Sequence, residues 1–294
     1  MLCLRRWRLA LSLMLLTSQA CRVSPASFSL PPEATPSNTP VSVSPSPTIH
    51  ASPGAWIPAR GISWQWQLTG LPVDLGVEAE VYDLDLFETD AGTIAAVHAR
   101  GAHAICYLSA GSWEDWRPDA GAFAPEVIGK KYVGWAGERW LDIRRIDLLA
   151  PLMAARLRLC RDKGFDAVEP DNLDGYTNDT GFPVTEQDQL RYNRWLAFEA
   201  HALGLSIGLK NDPDQMADLV SDFDWALTED CYDQGWCRSA SPFLQAGKAV
   251  FAAEYTDTGV DFDGACAQLQ QAGFSLILKD RDLSAWREEC HPEP

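Results

Sequence analysis

Beyond residue 60 the chain alternates between two hydrophobic periods. Short apolar runs with a period of two predict strands over Trp64–Leu68, Val81–Leu86, Ala104–Ser109, Phe165–Asp171, Leu205–Lys210, Asp224–Glu229, Ala249–Glu254 and Ser275–Lys279. Between them a helical period predicts helices over Ala91–Arg100, Leu148–Lys163, Glu186–Ala202, Asp214–Val220 and Phe262–Ala272. Gly101, Gly164, Gly204 and Gly273 follow four of these helices, where a C-terminal cap is expected. The unit helix–Gly–strand recurs as RGAHAICY, KGFDAVEP, LGLSIGLK and AGFSLILK. Regular alternation implies a parallel sheet, and eight strands imply closure into an α/β fold of the (β/α)8 TIM-barrel type, one domain over residues 60–294. An open doubly wound sheet is the alternative, but no Gly-rich phosphate-binding turn follows the first strand.

The first sixty residues have a different character. Arg5, Arg6 and Arg8 precede the apolar run Leu9–Leu16 and a small, polar stretch, the layout of an export signal over residues 1–21. Cys21 follows Ala20, so a lipid anchor through Cys21 stands beside simple secretion; the protein is expected to be secreted or held at the cell surface. Residues 22–59 are rich in Pro, Ser and Thr and poor in large apolar side chains, the composition of a disordered tether.

The strand ends carry the chemistry. GFDAVEPDNLDGY (164–176) begins apolar and finishes in Glu169, Asp171, Asn172 and Asp174. FDWALTEDCYDQGWC (223–237) repeats the design with Glu229 and Asp230. Clustered carboxylates repel and resist desolvation, so they do not gather at strand tips for stability. The C-terminal ends of barrel strands are where an active site is built. By period two, Glu169 and Asp171 share one face, as do Asp83 and Asp85 on the second strand. Tyr107 and Ser109 end the third strand, Lys210 and Asn211 the fifth, Glu254 and Tyr255 the seventh, Lys279 and Asp280 the eighth. Two acids facing one gap suit glycosidic bond cleavage, one protonating the leaving oxygen and the other attacking or activating water. A long insertion after the third strand reads as a loop carrying Trp113, Trp116, Trp135 and Trp140, of which about half are expected to offer sugar-stacking faces and the rest to pack inward.

Charge narrows the partners. Without the 4 Arg and 1 Glu of residues 1–59, the chain's 24 basic and 41 acidic residues leave a domain of net charge −20. That excludes a nucleic-acid footprint and suits a cationic ligand. Of the cysteines beyond the signal, Cys231 and Cys237 flank a turn-rich loop and form the best disulfide pair. Cys266 with Cys290 is a second candidate, and Cys106 and Cys160 are either buried thiols or a third pair. No CxxC recurs and the five His residues do not cluster, so neither a metal site nor a cofactor is expected. That also weighs against a metal-dependent deacetylase. A non-catalytic sugar-binding barrel is the remaining rival to a hydrolase.

The stretches WQWQL (64–68), VYDLDLF (81–87), ICYLSAGSWEDWRPDA (105–120), GERWLDIR (137–144), GFDAVEPDNLDGYTNDTGFPVT (164–185), GLSIGLKND (204–212) and TEDC (228–231) resemble glycoside hydrolase family 114, the endo-α-1,4-polygalactosaminidases. The resemblance implies an endo-acting, retaining hydrolase of α-1,4-linked galactosamine-containing exopolysaccharide; separately, the protein is expected to be a monomer. It implies Asp171 as the nucleophile and Glu229 as the acid/base. Glu169 shares the strand face of Asp171 and could exchange roles with it. Asp83, Asp85, Tyr107, Glu169, Asn172, Lys210 and Tyr255 are expected to bind substrate along the groove.

Overall fold

The computed structural model describes residues 54–290. The signal expected over 1–21, Cys21 and the tether expected over 22–59, except for 54–59, lie outside the described residues. Strands and helices follow in the order β1 (Trp64–Gln67), β2 (Val81–Asp85), α1 (Ala91–Ala99), β3 (His103–Ser109), β4 (Ser112–Glu114), β5 (Ile128–Lys131), β6 (Glu138–Leu141), α2 (Ile146–Lys163), β7 (Ala167–Asp171), α3 (Glu186–Ala202), β8 (Ser206–Lys210), α4 (Met216–Leu219), β9 (Trp225–Glu229), α5 (Ser241–Gln245), β10 (Val250–Tyr255), α6 (Phe262–Ala272), β11 (Ser275–Lys279) and β12 (Arg287–Glu289). Every strand expected from the period of two is present, with ends shifted by at most two residues.

The main sheet runs β1-β2-β3-β7-β8-β9-β10-β11-β12, parallel throughout except for the antiparallel β11–β12 pair. It forms a nearly closed TIM-type barrel. Closure between β11 and β1 is made by the chain that follows β11: Leu68 N–H donates to the Leu283 carbonyl at 2.9 Å, and the Arg287 guanidinium donates to the Trp64 carbonyl. Alternation along the strands separates two cores. Trp64, Trp66, Val81, Ile105, Ala167, Trp225, Leu227, Phe251, Ala253 and Ile277 fill the barrel interior. Their neighbours Tyr82, Leu84, Ala104, Cys106, Val168, Ile207, Leu209, Ala226, Val250 and Leu276 face the helices. Gly208 makes this packing feasible, since a Cβ there would lie 2.3 Å from the Trp225 ring. The interior is thus plugged by indoles below and left polar above.

The insertion after β3 is more ordered than its composition suggests. It folds into a three-stranded antiparallel sheet in the order β4-β6-β5, where a loop was expected. Its strands are three or four residues long and rich in charged side chains, so they carry little of the alternation that marks a strand. The sheet is tied to the barrel by Arg117, whose guanidinium binds Asp85 at the β2 tip and Glu114 on β4, each at 2.7 Å. Arg156 of α2 donates to the Ser109 carbonyl at 2.7 Å and pairs with Asp119 at 2.8 Å, holding the end of β3 from behind.

α3 begins with a reciprocal Thr185–Asp188 capping box, a device that stabilises a helix start by about 1 kcal/mol. Its buried face reaches the site: the Tyr192 hydroxyl donates to the Ala110 carbonyl at 2.7 Å, and Asn193 donates to the Leu173 carbonyl and to Asp212. Disulfides join Cys106–Cys160, Cys231–Cys237 and Cys266–Cys290, so Cys106 and Cys160 form the third pair rather than free thiols. Trp56 stacks on His103 with ring centroids 4.2 Å apart, so contact with the barrel already begins within the expected tether.

Candidate active site

At the C-terminal mouth of the barrel the strand tips and the insertion enclose a cleft of about 860 Å³. Three tips turn sharply as they leave the sheet. Asn172 after β7, Asn211 and Asp212 after β8, and Asp230 after β9 adopt φ between 50 and 64°. Asn and Asp tolerate this left-handed conformation better than other side-chain-bearing residues, so the pairs Asp171–Asn172, Lys210–Asn211 and Glu229–Asp230 are strand ends written in sequence.

Lys210 organises the floor. Its side chain is 2% exposed, and its Nζ lies 2.7 Å from Glu169, 3.3 Å from Asp171 and 3.1 Å from Glu229. The same ammonium sits 4.4 Å above the Trp66 ring. Asp171 Oδ1 and Glu229 Oε2 are therefore separated by no more than the 3.3 and 3.1 Å legs laid end to end. That ceiling on one oxygen pair places the two carboxylates within the ~5–9.5 Å reach of a catalytic couple. The Tyr107 hydroxyl donates to Asp171 Oδ2 at 3.0 Å. Glu229 is clasped by Asn211, whose Nδ2 donates to Oε2 at 3.1 Å while its Oδ1 accepts from the Glu229 N–H at 2.9 Å. The Tyr255 hydroxyl donates to Glu229 Oε1. Arg281 stacks over the Tyr255 ring at 3.7 Å and is itself held by Asp230 and Asp257.

These contacts set the protonation states. Burial works to raise the Glu229 carboxyl, but the Lys210 ammonium and the Tyr255, Asn211 and Lys210 hydrogen bonds outweigh it and hold the group below the ordinary glutamate range. Acids without an ion pair to a cation move the other way. Burial, reinforced by the Asp171 charge, pushes Asp174 up to about 6. Burial pushes Glu138 up to about 7, although Ser112 and Asn172 donate to it.

Most of the expected groove residues reach the cleft wall: Asp85, Tyr107, Asp171, Asn172, Lys210, Glu229 and Tyr255. Asp83 and Glu169 do not line the cleft. Both are fully buried, so the structure does not set these two on the cleft wall where they were expected. Asn172 is largely occupied elsewhere, its amide donating to Ser109, Ser112 and Glu138 beneath the insertion. Trp116 and Trp135 stand about half exposed at the cleft, whereas Trp140 is buried and Trp113 packs on the core, dividing the four indoles evenly. Glu138 and Arg281 were not expected at the site. In the sequence Glu138 lies within the insertion, far from the end of any barrel strand, and nothing in its local pattern marks it.

With this geometry in view, comparison with known proteins is decisive. The family model of glycoside hydrolase family GH114 matches residues 45–293. The chain belongs to GH114. This GH114 barrel is similar to the crystal structure of Aspergillus fumigatus Ega3 in complex with galactosamine, with 38% identity and a TM-score of 0.76 over 82% of this chain and 99% of that one. It shares its fold with the glycoside hydrolase domain of PelA from Pseudomonas aeruginosa, with 16% identity and a TM-score of 0.61 over 77% of this chain and 98% of that one. A comparison with curated protein sequences returned no match. The GH114 chain is a glycoside hydrolase, and its cleft is where that activity is to be sought.

Proposed function

We propose that the protein is an exported endo-hydrolase of α-1,4-linked galactosamine polymers that retains anomeric configuration through Asp171 and Glu229. The observation that carries this reading is the shared ammonium of Lys210, which gathers the two carboxylates at the floor of a cleft open to solvent. In the first step the glycosidic oxygen takes the proton of Glu229 as its bond to C1 breaks. Asp171 forms the new bond to C1, giving a glycosyl ester. In the second step Glu229 takes a proton from water, the oxygen attacks C1, and the ester bond breaks to return the Asp171 carboxylate. We take Asp171 rather than Glu169 as the nucleophile, a choice supported by the burial of Glu169 and by the place of Asp171 on the cleft wall.

The substrate class is supported by charge and by likeness. A domain of net charge −20 attracts ammonium groups. Asp174 presents an acid at the cleft beside Asp171, and the similar Ega3 structure holds galactosamine. Trp116 and Trp135 offer apolar faces for neighbouring sugars. Export is supported by the signal-like N-terminus and by three disulfides, which persist in oxidising compartments. The test is reducing-end release from defined α-1,4-galactosamine oligomers, with NMR reading the anomer of the first product. Asp171→Asn and Glu229→Gln are each expected to lower turnover at least ~10³-fold with folding intact. Wild-type-like turnover in either variant, or a first product of inverted configuration, refutes the mechanism.

A further inference from the structure

Directly beneath the Lys210 network lies a carboxyl that the reaction itself does not touch. Asp83 on β2 is fully buried, and neither of its oxygens meets an N–H or hydroxyl donor among the described residues. On the inner face of the sheet, one strand away past β3, it makes a carboxyl–carboxyl contact with Glu169. Glu169 Oε1 accepts from Lys210 Nζ at 2.7 Å, while Oε2 has no N–H or hydroxyl donor of its own. The ionisable groups facing Asp83 are Glu169 and Asp171 from β7 and Lys210 from β8; from β1 the neighbour in register is the uncharged Trp66.

Two carboxyls in contact within a dry interior do not both stay charged, because repulsion and desolvation act together. A single proton between them removes one charge and supplies the missing hydrogen bond. Lys210 binds Glu169 directly and does not reach Asp83, so negative charge is better placed on Glu169 and the proton on Asp83. Burial, reinforced by Glu169, also holds the Asp83 carboxyl well above the ordinary aspartate range.

We propose that Asp83 is a positioning residue: it keeps its proton, donates it in a hydrogen bond to Glu169 Oε2, and so fixes Glu169 Oε1 as the acceptor that aims the Lys210 ammonium between Asp171 and Glu229. This role rests on the two-carboxylate reading given above. Asp83 shapes the electrostatics of the reacting pair from one layer below, without meeting the sugar.

Two variants of similar volume separate the proton from mere packing. Asp83→Asn offers an amide N–H where the hydroxyl stood, and Asp83→Leu offers none. Asp83→Asn is expected to keep kcat within about threefold of wild type, whereas Asp83→Leu lowers it about tenfold or more with KM little changed, the pattern of a lost transition-state interaction. Independently of activity, the infrared difference spectrum of wild type minus Asp83→Asn at neutral pH should show the carbonyl stretch of one protonated carboxylic acid, the bands of other protonated acids such as Glu138 cancelling. Should Asp83→Leu fail to fold, Asp83→Asn and the infrared band decide. The role is overturned if Asp83→Asn is as impaired as Asp83→Leu, if Asp83→Leu turns over like wild type, or if no such band distinguishes wild type from Asp83→Asn. An inactive wild type would instead sink the two-carboxylate reading, while the band would still report whether Asp83 holds its proton.

Discussion

Replacing Lys210 with Met would remove the cation that Glu169, Asp171 and Glu229 share, while keeping an unbranched chain over the Trp66 ring. The Nζ contacts span 2.7 to 3.3 Å and the side chain is 2% exposed, so solvent screens them weakly. Each attraction is roughly 5–6 kcal/mol at an effective dielectric near 20, and much of that offsets the desolvation of the ammonium. Removing one partner of a buried ionic cluster typically costs about 3–5 kcal/mol, because the remaining charges are left uncompensated. Typical stabilities of about 5–15 kcal/mol leave such a variant folded, with a melting temperature lower by about 10 °C.

The penalty must also depend on pH. In the wild type the folded-state value of Glu229 is depressed, so its stabilising contribution is present above the ordinary value of 4.5 and is lost as pH falls. Without Lys210, burial and mutual repulsion raise the carboxyls above their unfolded values. Raised carboxyls favour the fold at low pH and lose that contribution as pH rises through the folded values. The gap between wild type and Lys210→Met therefore widens from pH 5 to pH 8, as guanidinium unfolding at the two pH values would show. Hydrolysis should fall at least ~10²-fold, since Asp171 and Glu229 lose the charge that holds them together at one point of the cleft. An equal penalty at both pH values, or turnover within tenfold of wild type, would refute the assignment of Lys210 as their common counter-charge.

Three further expectations concern the same cleft and its frame. If Glu229 is the general acid, its depressed value makes kcat/KM fall as pH rises from an acidic optimum, whereas loss of activity only on the acid side would give Glu229 the role of the ionised partner. Trp135→Ala should raise KM for long oligomers several-fold, about 1 kcal/mol of lost stacking, while leaving kcat and the melting temperature nearly unchanged; an unaltered KM would remove the indole from the substrate path. Replacing Cys106 and Cys160 together with Ala should lower stability by about 4 kcal/mol, measured by denaturant unfolding, because their bond closes a loop with a sequence separation of 54; a loss below 1 kcal/mol would mean that the reduced chain is already compact there.

Local chemistry made much of this molecule readable. Strands with alternating inward and outward residues need only a period of two, so β1 to β3 and β7 to β11 were apparent from the order of apolar and polar positions. The turns that end β7, β8 and β9 require left-handed backbone, and Asn or Asp stands at each. β12 and the sheet of β4, β5 and β6 were not apparent, since they are short and are stabilised by pairing with distant segments rather than by their own pattern.

The site divides in the same way. Which acids stand at strand ends is a local property, and Asp171, Glu229 and Lys210 declared themselves by position. Depth along the barrel axis is not local. Glu169 and Asp171 share a face, yet two residues of strand amount to about 6.6 Å, which places one carboxyl in the dry interior and the other at the cleft. Partnership is equally non-local: Lys210 meets three carboxylates from two other strands, and Glu138 arrives from the insertion. The sequence by itself therefore determined the kinds of groups and the ends of the strands that carry them, because both depend on neighbours along the chain. Only the tertiary structure decided which groups touch, which are buried and which carry protons, because those depend on distances across the barrel.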